Sequence, residues 1–230
     1  MRIIRFRNIK FFSGSYIEIK KRISKGGVLV APAASALSNI NQDEIYYNAL
    51  RNSDIAILDS GFFCILLRIF KGLKPIKLSG YLFLNRFLDE KTNEKILLIN
   101  PNKQSQKFNS DLLKSKKIKN FKSYLAPIYK SNLKDIKLIK LIKSYKPKYI
   151  IINLGGGIQE PLGIYLRNNI NFKISIFCTG AAIAFMTGEQ APINKYIDRL
   201  YLGWFVRFLW NPIKNFRRTL HSFKLIKLFF

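Results

Sequence analysis

The chain has 230 residues, 48% of them hydrophobic and 14% aromatic. That is enough apolar surface for one large domain, or two small subdomains sharing a core, and it excludes wholesale disorder. The formal charge of +27 points to an anionic partner (nucleic acid, a phosphorylated substrate or a membrane surface), although lysines stand in nearly every segment and part of the excess is compositional bias.

The first residues, MRIIRFRNIKFF, are charged and lack a continuous apolar stretch, so no secretory signal is expected. VLVAP (28–32) reads as a buried strand, 42–52 as a helix, IAIL (55–58) as a second strand and 61–72 as a second helix. No stretch reaches the roughly 18 uncharged apolar residues of a membrane span; the best candidate, IAILDSGFFCILLRIF, is broken by Asp59 and Arg68. ILLIN (96–100) is a further strand and 105–118 a helix. In 134–146 the apolar positions recur on one side while lysines fall elsewhere. YIIINL (149–154) and KISIFC (173–178) complete the strands. Cys64 and Cys178 sit in apolar runs as buried small hydrophobes, which suits a reducing compartment, and with one histidine they build no zinc site. Strands alternating with helices predict the α/β class: a parallel sheet with helices on both faces. QAPINK (190–195) marks a boundary, giving a domain over 1–192 and an aromatic, basic appendage over 193–230.

In open α/β sheets ligands gather where strands end, so the residues that follow each strand carry the functional information. After IAIL come Asp59, Ser60 and Gly61. After YIIINL come Gly155, Gly156, Gly157, Ile158, Gln159 and Glu160. After KISIFC come Thr179 and Gly180, and after VLV a bare APAAS. The lone histidine, His221, has no nucleophile elbow and reads as a surface residue of a basic helix, so any acid–base group is a carboxylate. Three carboxylates lie near strand ends or glycine turns: Asp59, Glu160 and Glu189. Spacing alone also permits Asp59 to be a helix N-cap. The three-glycine turn could cradle a diphosphate, yet it is neither a Walker loop nor a dinucleotide fingerprint, and a tight strand–helix connection is the plainer alternative. Glu160 at a helix start is also favoured by the dipole alone.

Taken in order, IAILDSG, KLSG, IIINLGGGIQE, FCTGAAIAFMTGEQAP and LGWFVRFLWNP resemble the WecG/TagA/CpsF glycosyltransferases, glycosyltransferase family 26, over about residues 27–218. The resemblance implies a Rossmann-like fold with a C-terminal helical appendage. It also implies inverting, metal-independent hexose transfer without a cofactor, from a UDP-sugar to a polyprenyl-diphosphate-linked sugar at the inner membrane face, feeding teichoic acid, capsule or exopolysaccharide synthesis. On this match Asp59 is the catalytic base and Gln159 joins it. Substrate contacts fall to Ser35, Ser60, Gly61, Lys77, Gly80, Gly155, Gly156, Gly157, Glu160, Thr179, Gly180, Arg207, Lys214 and Arg218, and Gly188 and Trp204 match the later glycine and tryptophan. The chain departs from the family pattern at Ala31 and Ala33 (for Thr-x-Asn, with Ser35 as the candidate compensation), Lys77 (for Arg), Leu82, Gly157-Ile158, Gln190 and Gly203.

From Tyr196 onward aromatics and leucines interleave with Arg199, Arg207, Lys214, Arg217, Arg218, Lys224 and Lys227, and Pro212 should separate two helices. This composition suits an anionic membrane surface, with an ordinary packed C-terminal helix as the alternative. The expected location is cytoplasmic and peripheral to the membrane; a homo-oligomer is compatible with the sequence. Two other classes compete: a catalytically silent family member acting as a scaffold, and a basic nucleic-acid-binding protein. The second is disfavoured because no DNA- or RNA-binding motif is present.

Overall fold

Apolar runs closed by a polar residue or a glycine form the middle of a single sheet. The computed structural model describes residues 1–230 except 130–132, 192–194, 200 and 202, and except the side chains of 195, 199, 204, 205, 207 and 214. In chain order the first half comprises β1 (Arg2–Phe6), β2 (Ile9–Ser13), α1 (Tyr16–Ile23), β3 (Gly27–Val30), α2 (Ala34–Leu37), α3 (Glu44–Asn52), β4 (Ile55–Ile57), α4 (Gly61–Lys71) and α5 (Gly80–Asp89). Then come β5 (Ile96–Asn100), α6 (Lys103–Ser115), β6 (Phe121–Leu125), α7 (Ile136–Tyr145), β7 (Tyr149–Ile152), α8 (Gln159–Asn169), β8 (Ser175–Cys178) and α9 (Ala182–Met186). The C-terminal segment contributes α10 (Lys195–Arg199), α11 (Gly203–Trp210), α12 (Pro212–Phe223) and a final 3-10 turn, Lys224–Phe229.

Among the described residues eight strands form one sheet in the order β1-β2-β4-β3-β8-β7-β5-β6, with β1 antiparallel to β2 and the other pairings parallel. The fold is therefore the α/β, Rossmann-like arrangement that the alternation predicts. Successive residues of each central strand serve opposite faces. Val28, Val30, Ile150, Ile152 and Ile176 join one core with α3, α4, α7 and α8, while Leu29, Ile151 and Phe177 join the other with α1, α5, α6 and α9. Caps fix where the helices begin: Ser60, Ser79 and Asn102 each accept from a backbone N–H three residues on.

Three strands, β1, β2 and β6, lie outside the sequence reading. The N-terminal hairpin is turned by Arg7 and Asn8, both at positive φ (46° and 60°), where an Asn-Gly pair would have announced the turn. The edge strand β6, FKSYL, is too polar and half-exposed to stand out as an apolar run.

Candidate active site

The loops after β3, β4, β7 and β8 converge with the start of α6 on one cleft of about 1020 Å³, roofed by α11 and α12. Strand order changes direction here: β4 lies to one side of β3, while the chain crosses over to β5 on the far side. A ligand crevice is expected at such a switch point.

Asp59 directly follows β4, half-buried in the cleft wall. It is not the N-cap of α4; that role falls to Ser60, whose Oγ accepts from Phe63 N–H at 3.2 Å. Asp59 Oδ1 instead accepts from Gly80 N–H at 2.8 Å, which ties the two glycine-containing segments IAILDSG and KLSG into one unit. Across the cleft, Arg218 reaches in from α12. Its head is open to solvent at the mouth yet surrounded by protein, so lost hydration lowers its pKa while the Asp59 charge raises it. Ser35 lines the same cleft beside Ala31 and Ala33, which present only methyl groups.

The three-glycine turn has two distinct halves. Gly157 has φ +88° and donates its N–H to Glu160 Oε2 at 2.9 Å, so the turn and the start of α8 are stitched together. Gly155 and Gly156 are exposed to the cleft, and a Cβ at Gly155 would meet no protein atom within 4 Å. Glu160 itself is 1% exposed. Burial pushes its carboxyl up to about 7, against the lowering pull of hydrogen bonds from its own backbone N–H, from Gly157 and from Gln159, while Asp43 adds to the rise. Gln159 is likewise buried: Nε2 donates to Glu160 Oε1 at 3.0 Å and Oε1 accepts from Gly180 N–H at 2.9 Å. The pair that sequence places at the ligand thus joins the β7 and β8 loops through Gln159 and braces the glycine turn through Glu160. Thr179, between them, keeps a buried hydroxyl with no hydrogen-bond partner among the described residues.

Lys77 is placed differently from a ligand-facing cation. Its Nζ lies 2.8 Å from Asp198 Oδ2 and donates to the Asp198 carbonyl at 2.7 Å, with both side chains more than nine-tenths buried. Beside it Tyr201 packs so closely on Gly61 that a Cβ there would stand 2.8 Å from the tyrosine, and Arg68 Nη2 meets the Tyr201 hydroxyl at 3.0 Å. Together they latch the C-terminal segment to the rim next to Asp59. Trp204, Arg207 and Lys214 lie on α11 and α12, but their side chains are outside those described. His221 is exposed and lines the cleft mouth. Among the described residues no group of three or more His, Cys, Asp or Glu could hold a metal ion.

Several site residues were not singled out from sequence. Asn153 closes β7 and Asn100 closes β5; Asn153 Nδ2 and Asn109 Nδ2 both donate to Asn100 Oδ1, at 3.1 and 2.7 Å. The signal was an asparagine ending each of two apolar strands, ILLIN and IIIN. Tyr201 and Asp198 left no signal, since their partners stand more than a hundred residues away.

A doubly wound parallel sheet with one large cleft at the carboxyl ends of its strands, and a carboxylate facing a guanidinium across it, defines an α/β protein that binds a charged ligand at a topological switch point. Comparison with known families makes this specific. The model of the WecG/TagA/CpsF glycosyl transferase family matches residues 4–230, essentially the whole chain, and the chain belongs to that family. A search of curated proteins returns no match. The protein is thus a glycosyltransferase of the type that serves cell-surface polysaccharide synthesis, with a sugar-nucleotide donor and a lipid-linked acceptor as its kinds of partner.

Proposed function

We propose that the protein transfers a hexose from a UDP-sugar to a polyprenyl-diphosphate-linked saccharide, with inversion and without a metal, and that Asp59 is the general base. The carrying observation is the position of Asp59: at the end of β4, in the cleft wall, with Gly80 N–H on Oδ1 and the Arg218 charge within electrostatic reach. The acceptor hydroxyl gives its proton to the Asp59 carboxylate as its oxygen bonds to the anomeric carbon. The bond from that carbon to the phosphate oxygen breaks, and UDP leaves with the electron pair. Displacement from the opposite face inverts the centre. Negative charge gathers on the departing diphosphate, where the Arg218 guanidinium of α12 meets it; Arg207 on α11 and Lys214 on α12 are the further cations that the family resemblance assigns to substrate. The cleft-facing backbone at Gly155 and Gly156 gives the diphosphate close approach.

Residues 193–230 act in this reading as a membrane-associating appendage. No helix among the described residues is long and apolar enough to cross a membrane. On α12, Ile213, Phe216 and Leu220 recur at helical spacing and are exposed, from 50% to 92%, and Leu209 on α11 is exposed as well. Exposed Arg217, Lys224 and Lys227 lie on the same segment. Such a stripe with flanking cations fits an anionic bilayer surface at the inner membrane face.

The test is incubation of the full chain with a panel of UDP-sugars and polyprenyl-diphosphate-sugar analogues, with mass spectrometry of the lipid product. Transfer that survives intact in Asp59→Asn would overturn the assigned base. Binding of UDP without transfer from any donor would favour a silent scaffold, a reading motivated by the methyl groups of Ala31 and Ala33 at the cleft. Flotation with anionic liposomes, compared with a variant carrying Ile213→Ser and Phe216→Ser, tests the membrane role, and equal flotation rules it out.

A further inference from the structure

The cleft holds a second fixed carboxylate that the transfer step does not use. Of the acids lining it, Asp198 is neutralised by Lys77 and Glu160 is sealed among Gly157 and Gln159. Glu189, just beyond α9, is half-buried and faces the cleft. Its Oε1 accepts from Ser105 Oγ at 2.8 Å and its Oε2 from Thr187 Oγ1 at 3.2 Å, so hydroxyls from two different elements aim the group. Ser105 is itself anchored, its N–H donating to Asn102 Oδ1 at 2.8 Å at the start of the 13-residue α6. An ionised carboxylate has about four acceptor positions on two oxygens; the protein hydrogen bonds described take one on each, leaving a side-by-side pair. Paired acceptors of this kind suit two adjacent hydroxyls.

Sheet order says which hydroxyls. Asp59 ends β4 and Ser105 follows β5; in the order β4-β3-β8-β7-β5 four strand spacings separate them. At about 4.8 Å per spacing that is roughly 19 Å along the cleft, too far for Glu189 to touch the reacting carbon. Between the two ends stand Thr179, after β8, and Gly155, after β7. The cleft therefore runs from the base, past the glycine turn, to a carboxylate suited to a diol. Resting on the nucleotide-sugar reading above, we propose that Glu189 binds the 2′- and 3′-hydroxyls of the donor's ribose, with Ser105 and Thr187 as positioning residues.

Calorimetric titration of the full chain with UDP, 2′-deoxy-UDP and 3′-deoxy-UDP tests this. The wild type is expected to prefer UDP over either deoxy ligand by about tenfold to hundredfold, the usual range for a hydrogen bond to a charged group. Glu189→Gln, which keeps the shape, should weaken UDP most and each deoxy ligand, which retains one hydroxyl, less, so that the preference shrinks to about threefold or below. Ser105→Ala should erode the preference in part and Ser105→Thr should restore it, a ratio that a merely structural defect would leave alone. Undiminished preference in Glu189→Gln, or equal binding of UDP and both deoxy ligands by the wild type, overturns the assignment while the nucleotide reading stands. Absence of any UDP binding by the wild type overturns both.

Discussion

The α/β body and the C-terminal segment face each other across the same cleft and are held by different forces. In the body, Val28, Leu29, Ile150, Ile151, Ile176 and Phe177 are wholly buried, and pattern alone dictates their faces. In the segment, Leu209, Trp210 and Ile213 point outward. Among the described residues its anchors include particular pairings: Lys77 with Asp198, Arg68 with Tyr201, and Leu225 and Leu228 of the final turn, which join the core that holds Phe6 and Phe63. A region built by many interchangeable apolar contacts tolerates substitution, whereas one built by single pairings fails residue by residue. The base thus sits on the robust side of the cleft and the counter-charges on the fragile side.

The sharpest way to separate the two is Asp59→Asn. The amide oxygen can still accept from Gly80, so melting temperature should hold while transfer falls by about 100-fold to 10,000-fold, the range for loss of a positioned base. Product formation and a thermal melt on the same sample read both. Leu225→Ala asks whether the final turn belongs to the body: at 0% exposure in the main core it should cost about 2–5 kcal/mol in denaturant unfolding, whereas Leu209→Ala, exposed, should stay within about 0.5 kcal/mol. Lys77→Met leaves the Asp198 carboxylate buried without its cation and should loosen the segment by about 3–5 kcal/mol. Proteolysis near residue 200 reports this, and the double variant with Asp198→Leu should recover most of the loss.

A pH slope is expected as well. Glu160 ionises at about 7 when folded, above its ordinary value of 4.5, so the folded state holds its proton more firmly than the unfolded one. Its destabilising share is absent below the ordinary value, grows as pH rises from about 4.5 to about 7, and then levels off. Melting temperature should decline across that window, and Glu160→Gln should flatten the decline.

How much of this was legible in the sequence depends on the distance between partners. Strand ends carried their own labels: Asp59, the glycine turn and Thr179 all proved to line the cleft because each directly follows an apolar run. Pro212 separates α11 from α12 as its missing N–H requires. What Lys77, Gln159 and Glu160 do with their side chains was not legible, since each is decided by a partner that only the folded chain supplies: Asp198, Gly180 and the seal over α8. The closing KLFF is divided: Leu228 is buried, Phe229 lies 4.7 Å from Phe6 ring to ring, and Phe230, though largely exposed, meets Phe70 edge-on at 5.2 Å.

Gly155 has a practical consequence. Nothing in the polypeptide demands a missing side chain there, because an added methyl would touch no neighbour and the backbone lies outside the left-handed region. Alanine or valine at this position would occupy space beside the glycine turn, where the diphosphate is proposed to lie, without disturbing the scaffold. Such a variant asks of a folded molecule how much of nucleotide affinity depends on close approach to the backbone at this turn.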